Sequence, residues 1–174
     1  MILDGNVLGV CNGSAEAGPR ALGHRSLIAL SNSIMIRKRL SEVIKGREWY
    51  RPVAPILCDS AANEVLEDIA LNSELSSFML GAYELEEGHD SGFEGVKHGN
   101  DLLRAQVVRS KDKDNQWMYK LLSEIWEEHG VPCLINTSFN QKGEPIVHHP
   151  LEAIDVAGKM GLDGAIINGS LHLS

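Results

Sequence analysis

Short apolar runs with the length of β-strands alternate along this chain with segments of helical periodicity. The strand-like runs lie at 7–11, 27–30, 56–58, 78–85, 102–108, 131–135 and 165–167. Apolar spacing, caps and stop residues predict helices at 34–44, 59–66, 114–129 and 150–160. This alternation indicates the α/β (α+β) class, with one twisted, mixed β-sheet flanked by helices.

A length of 174 residues suits a single domain with a sizeable core, and we expect that domain to span 1–174. The stretch 86–100 is rich in Gly, Glu, Asp and His and shows no periodicity. It is the best candidate for a mobile loop, inserted into the domain without dividing it.

Cysteine usage and the absence of long apolar segments bear on location. Cys11, Cys58 and Cys133 lie far apart without CxxC spacing, which is typical of reduced, buried thiols. The N-terminus has no signal-peptide pattern, and no run reaches the length of a membrane span. We therefore expect a cytoplasmic protein that does not bind membranes.

Positive charge is concentrated in one part of an otherwise acidic chain. The segment 20–51 holds 8 of the 16 Lys and Arg residues and two acids, so it carries +6 while the whole chain carries -8. A local cationic segment on a protein with a pI near 5.3 favours a small anionic ligand over nucleic acid. The consecutive cations 37–39 also fit a solvated helix face.

Two motifs within this segment carry the candidate anion ligands. In the motif 16–26, glycines and a proline fix a turn, and Arg20 and Arg25 offer guanidinium forks for phosphate or carboxylate oxygens. In the motif 45–52, Lys45 and Arg51 flank an aromatic pair at the end of a helix. The alternatives are an arginine-braced loop for the first motif and cations that favour a helix dipole for Lys45.

Two further candidates lie later in the chain. The polar run 136–140 follows a buried strand, and its amides and hydroxyls suit phosphate, carbamoyl or carboxyl groups, although such a run is also an ordinary polar turn. Arg104 falls within a strand-like pattern, where an unpaired charge is costly, so we expect it to find an anion. His148 and His149 are adjacent and no set of residues has zinc spacing, so we expect no transition metal in this domain.

The motifs at 18–26, 51–55, 136–140 and 143–145 together resemble the C-terminal domain of NodU/CmcH-type O-carbamoyltransferases. The order and separation of the motifs agree, and the resemblance covers nearly the whole chain. It implies a YrdC-like fold that takes carbamoyl phosphate and ATP with Mg²⁺ and forms a carbamoyl-adenylate. A Kae1-like N-terminal half, which holds the family's metal, would then transfer the carbamoyl group to an acceptor hydroxyl.

Matching residues to the family motifs implies specific roles. The implied catalytic residues are Lys45, Arg51 and Ser138, and the implied substrate- and nucleotide-binding residues are Arg20, Arg25, Arg104, Asn136, Thr137 and Asn140. The chain departs from the family pattern at His24, where asparagine is common, and in the approach to Arg104 around His98.

Other interpretations stay open at this point. The chain also fits a YrdC-like module that binds an anion or nucleotide without chemistry, while RNA binding conflicts with the acidic balance. Residues 1–5 resemble the end of a preceding element, which favours a fragment whose Kae1-like partner acts in cis or in trans. An apolar face left by that partner would favour a homodimer.

Overall fold

The computed structural model describes residues 1–97 and 102–173. Within these residues, seven strands form one mixed sheet in the order β6-β3-β7-β2-β1-β8-β9, and β4 and β5 form a separate two-stranded ribbon. The strands are β1 (Leu8–Cys11), β2 (Arg25–Leu30), β3 (Ala54–Cys58), β4 (Tyr83–Glu84), β5 (Leu102–Leu103), β6 (Gln106–Val108), β7 (Leu134–Ser138), β8 (Gly164–Ile167) and β9 (Ser170–Leu173).

Helices flank this sheet. They are α1 (Ile34–Lys38), which continues as a π-helical stretch (Arg39–Ile44), α2 (Asp59–Val65), α3 (Asp68–Asn72), α4 (Gln116–His129) and α5 (Pro150–Met160). Helix α4 packs against β3, and α5 packs against β1 and β8. The predicted fold class, one small domain with a mixed sheet flanked by helices, is confirmed.

The two long helices begin and end where the sequence predicts. Pro150 occupies the first turn of α5, where a missing N–H costs nothing, and Glu152 completes a capping box with His149. Gly130 and Gly161 end α4 and α5 with φ values of 63° and 64°, the left-handed conformation that glycine adopts without strain.

One hydrophobic core holds the sheet and helices together. The interior strands β2 and β3 are buried along their whole length, as expected for strands covered on both faces. Helix α4 contributes three buried side chains at helical spacing, Met118, Leu122 and Ile125. The core gathers strand and helix residues into a single cluster, so the described residues form one folding unit.

The polar run 136–138 lies inside a strand, not after it. The sequence predicts a strand at 131–135, but β7 covers Leu134–Ser138 and pairs antiparallel with both β2 and β3. Asn136 lies opposite Ile28 on one side and Ala54 on the other. Pairing on two sides fixes the extended backbone whatever the polarity of the side chains, so the apolar pattern ends before the strand does.

The predicted strand at 78–85 is mostly wrong, and the strand predicted at 102–108 is interrupted at residues 104–105. The first becomes a 3-10 turn (Glu74–Phe78) followed by the two-residue β4, because Met79 adopts a left-handed φ of 53°. The second is divided between β5 and β6, which belong to different sheets. Arg104 therefore lies in the break between two strands and is exposed, not embedded in a strand as predicted.

The predicted loop at 86–100 is partly packed. Phe93 is fully buried, Val96 is buried, and the Ser31 hydroxyl donates to the carbonyl of Gly92. The last residues of this predicted loop, 98–100, lie outside the described residues, and His98 is one of them. The mobility of this loop and the domain boundaries at 1 and 174 stay predictions.

Candidate functional site

A narrow cleft lies where three loops meet the end of β7. Its volume is about 100 Å³. Arg20 comes from the loop between β1 and β2, Arg47 from the segment after the π-helical stretch, and Arg104 from the break between β5 and β6. Its lining residues are Pro19, Arg20, Ala21, Arg47, Pro52, Val53, Ala54, Met79, Arg104, Asn136, Thr137 and Ser138.

The cleft collects positive charge, and no Asp or Glu is among its lining residues. Within 1–97 and 102–173, Arg20, Arg47 and Arg104 form no ion pair and their guanidinium groups make no hydrogen bond. Burial lowers the pKa of Arg47, and the charges of Arg51 and Arg104 lower it further against a smaller opposing effect of Glu48. Burial and the charge of Arg20 likewise lower the pKa of Arg104. Such mutual repulsion is relieved when an anion enters.

The predicted catalytic lysine lies behind the cleft wall, not in it. Lys45 is 3% exposed, and its Nζ lies 2.8 Å from Asn140 Oδ1 and 3.2 Å from Ser138 Oγ. It also donates to the backbone carbonyls of both residues. Burial lowers the pKa of Lys45 to about 7, and the charge of Arg47 adds to this effect. In this geometry Lys45 holds the turn that follows β7.

Arg25 is also fully engaged with the protein. Its Nε and Nη2 donate to the carbonyl of His148 at 3.1 and 3.0 Å, and Nη2 also reaches the carbonyl of Gly13. Nη1 donates to the carbonyls of His24 and Asn12. Every N–H direction of this guanidinium thus meets a backbone carbonyl, so the geometry favours a bracing role over ligand contact.

Some polar residues of β7 and the following turn line the cleft, and others hold the lining residues in position. Thr137 and Ser138 line the cleft, and the Ser138 hydroxyl donates to Asn140 Oδ1 at 2.7 Å. Asn140 is not among the residues that line the cleft. Its amide nitrogen donates to the carbonyls of Gln141 and Glu144. Asn140 therefore fixes Ser138 from behind.

Arg51 lies at the rim of the site. Its side chain is 56% exposed, and Nη1 lies 3.7 Å from Glu48, which also contacts Lys142 at 3.2 Å. Pro52, the next residue, lines the cleft. An exposed ion pair of this kind contributes little, so Arg51 is free to exchange Glu48 for a ligand anion.

Three residues that line or shape the candidate site were not predicted from the sequence. Arg47 was only one cation in the run at 45–52, and Gln106 lay in an apolar strand pattern. Glu16 accepts the backbone N–H groups of Leu22, His24 and Arg25 on one oxygen, at 2.6, 2.9 and 3.2 Å, and so shapes the loop that carries Arg20. The one sequence signal for a role of Gln106 is a polar residue among apolar neighbours in a strand pattern. The structure shows that Gln106 is buried, and a buried amide needs hydrogen-bond partners.

Two wider cavities lie along the loop between β1 and β2 and offer room for the rest of a ligand. Arg20 also lines a cavity of about 420 Å³ together with Arg25, Glu144 and His148. A third cavity of about 740 Å³ is bounded by Glu16, His24, Phe78, Gln106 and Arg109, among others. A ligand larger than phosphate can therefore extend from the arginine cleft along the loop 13–22.

The fold and the site together define an α/β domain with an arginine-lined cleft at the end of an interior strand. A sequence model of the family described as "Carbamoyltransferase C-terminus" matches residues 1–173. The chain belongs to this family, as its resemblance to the O-carbamoyltransferases predicted.

Curated relatives agree with this assignment. The chain is 34% identical over 170 residues to the nodulation protein NolNO of Sinorhizobium fredii, covering 98% of this chain and 25% of that protein. It is 34% identical over 169 residues to the 3'-hydroxymethylcephem-O-carbamoyltransferase of Amycolatopsis lactamdurans, covering 97% of this chain and 31% of that protein. The chain thus spans about a quarter to a third of the length of these relatives.

The described residues show neither a cluster of metal ligands nor a membrane-spanning helix. In the part of the chain that the structure describes, no group of three or more His, Cys, Asp and Glu side chains is arranged to hold a metal ion. Among the same residues, no helix has the length and apolar character needed to cross a bilayer. The predictions of no transition metal and of a cytoplasmic location stay predictions.

Proposed function

We propose that this chain is the carbamoyl-adenylate-forming domain of an O-carbamoyltransferase. The observation that carries the proposal is the convergence of Arg20, Arg47 and Arg104, unpaired by carboxylates, on the amide and hydroxyl groups of β7. Family membership supports a carbamoyltransferase role, and the relative from Amycolatopsis lactamdurans is named for that activity. The substrates are carbamoyl phosphate and ATP, with Mg²⁺ arriving on the nucleotide.

The chemistry that we propose has two balanced steps. Water cleaves carbamoyl phosphate to carbamate and phosphate. A carbamate oxygen then attacks the α-phosphorus of ATP, forming carbamoyl-adenylate as pyrophosphate leaves. Negative charge gathers on phosphoryl oxygens in the second step, and fixed guanidinium groups stabilise such a transition state.

Each residue has a distinct role in this proposal. Arg20, Arg47 and Arg104 bind phosphoryl oxygens, and Arg51 joins them from the rim. Thr137 donates its hydroxyl hydrogen bond to the ligand, and Ser138 does the same once its hydroxyl turns away from Asn140 Oδ1, to which it donates in the unliganded protein. Lys45, Arg25 and Asn140 act by position, because their polar atoms are already engaged with the protein.

Transfer of the carbamoyl group to an acceptor hydroxyl would need a Kae1-like half, in cis or in trans. The relatives are three to four times longer than the matched region, which leaves room for such a half in those proteins. We place acceptor recognition there.

Isotope exchange between ATP and pyrophosphate tests the proposal. With Mg²⁺, exchange should require carbamoyl phosphate and should fall at least about tenfold in Arg104→Ala. The matched control is Lys38→Ala, which removes the same charge from an exposed position on α1. Ligand binding without exchange would instead favour the non-catalytic anion- and nucleotide-binding module, and absence of both would contradict the proposal.

A further inference from the structure

Asn136 is held by a relay of two side-chain amides. Gln106 Nε2 donates to the carbonyl of Leu22 at 2.7 Å. Gln106 Oε1 then faces Asn136 Nδ2 at 2.8 Å, and the same Nδ2 reaches the carbonyl of Ala21 at 3.1 Å. A backbone carbonyl only accepts hydrogen bonds, so the side-chain nitrogens of Gln106 and Asn136 must face the carbonyls of Leu22 and Ala21. The oxygen Oδ1 of Asn136 then points away from these groups.

That oxygen has no hydrogen-bond partner among the residues that the structure describes. Asn136 is 2% exposed, and within the described residues Oδ1 makes no hydrogen bond. A buried acceptor left unpaired is unfavourable, and such atoms in native structures usually have a reason. Asn136 lines the arginine cleft, so the missing donor can come from a ligand in that cleft.

The charges around the cleft restrict the kind of donor. Arg20, Arg47 and Arg104 repel a cationic donor such as an ammonium group. The donor is therefore a neutral N–H or O–H group on a molecule that is itself an anion. The NH₂ group of carbamoyl phosphate or carbamate meets both conditions.

We propose that Asn136 Oδ1 accepts a hydrogen bond from the NH₂ group of the carbamoyl substrate and makes the site select carbamoyl over acetyl compounds. This inference rests on the proposed function and assigns one oxygen the task of distinguishing NH₂ from CH₃. The oxygen is covered in the unliganded protein, so the ligand reaches it through a shift of the cleft lining, to which Pro19 and Arg20 belong.

A pair of stable phosphonates tests the inference by calorimetry on the 174-residue chain. Phosphonoacetamide carries the NH₂ group, and 2-oxopropylphosphonate carries CH₃ in its place. Wild-type protein should bind phosphonoacetamide about tenfold more tightly, the effect of one buried hydrogen bond. Asn136→Ala should bring the two dissociation constants to within about twofold of each other.

Asn140→Ala is the matched control. It makes the same chemical change four residues further along the chain, but Asn140 Oδ1 is already engaged by Lys45 and Ser138. This variant should shift both affinities alike and keep the tenfold ratio. A merely structural role for Asn136 would also shift both affinities alike, so the ratio separates the two explanations.

The outcomes distinguish this inference from the function on which it rests. If wild-type protein binds both phosphonates equally, the inference is wrong while the anion site stands. If it binds neither, the inference and the proposed carbamoyl phosphate site fall together. The wild-type ratio decides even if Asn136→Ala does not fold, and a ratio that survives in a folded Asn136→Ala protein also overturns the inference.

Discussion

Arg47 is a residue whose position opposes stability and favours binding. Partial burial lowers the pKa of its guanidinium, and the charges of Arg51 and Arg104 lower it further. No ion pair to Arg47 is present within the described part of the chain. Unpaired like charges in one cleft destabilise the unliganded protein, and the same charges attract an oligoanion.

Replacing Arg47 by alanine should therefore have opposite effects on stability and on binding. We expect the unliganded melting temperature of Arg47→Ala to stay unchanged or rise, because repulsion is removed. The affinity for inorganic triphosphate should fall about tenfold, since one charge-assisted contact is lost. Thermal melts with and without triphosphate measure both quantities, and a loss of stability without any loss of affinity would show that Arg47 is structural.

Lys45 should make the stability of the folded protein depend on pH. Its pKa is about 7 in the folded state, against an ordinary value of 10.5. Between these values the unfolded chain binds more protons, so the free energy of unfolding rises with pH. We expect this group to add about 1–2 kcal/mol between pH 7 and pH 8.5.

Urea unfolding of wild-type protein and Lys45→Met at the two pH values isolates this contribution. The variant removes the titrating group, so its stability should change less than that of the wild type over the same interval. Equal pH dependence in the two proteins would mean that the acceptors around Nζ keep Lys45 charged up to its ordinary pKa.

At the scale of elements, the loop between β1 and β2 is shaped by a single carboxylate. Glu16 gathers the N–H groups of Leu22, His24 and Arg25, and Arg20 lies within the loop closed by these bonds. Removing the acceptor leaves three donors to find water. The position of Arg20 therefore depends on a residue outside the cleft.

Glu16→Ala should weaken triphosphate binding several-fold and lower the free energy of unfolding by about 1–3 kcal/mol. Glu16→Gln is the matched control, because its amide oxygen still accepts these N–H groups. We expect Gln to retain most of the affinity in calorimetry. Equal losses in both variants would indicate that the charge of Glu16, not its acceptor geometry, matters.

The elements also show what the sequence could predict. Helices α4 and α5 were predicted to within two residues, because glycine and proline act locally at their ends. The extent of β7 was not, because pairing with β2 and β3 decides it. The break at Arg104 was missed for the same reason: β5 and β6 alternate like one strand in sequence but pair in different sheets.

The candidate site divides in a similar way. The residue types were predicted from motifs, and Arg20, Arg104, Asn136, Thr137 and Ser138 do meet in one cleft. Sequence could not separate ligand-facing cations from bracing ones. Arg20 and Arg25 lie five residues apart in one motif, yet only Arg25 is surrounded by carbonyls, which depends on the contact with His148 far along the chain.

At the scale of the whole molecule, charge separation is the main functional feature. The chain carries a net charge of -8, yet the cleft gathers arginines. An acidic exterior disfavours nucleic acid, while a local cationic cleft favours a small anion. The predicted homodimer and the Kae1-like partner stay predictions, and light scattering of the isolated chain decides the first.

The proposed function requires that the arginine cleft binds the phosphates of carbamoyl phosphate and Mg²⁺-ATP. Titration calorimetry of each ligand into wild-type protein, Arg104→Ala and Lys38→Ala tests it most directly. We expect wild-type protein and Lys38→Ala to bind with similar affinity, and Arg104→Ala to bind at least about tenfold more weakly. Absence of binding to wild-type protein, or equal affinity in Arg104→Ala, would contradict it.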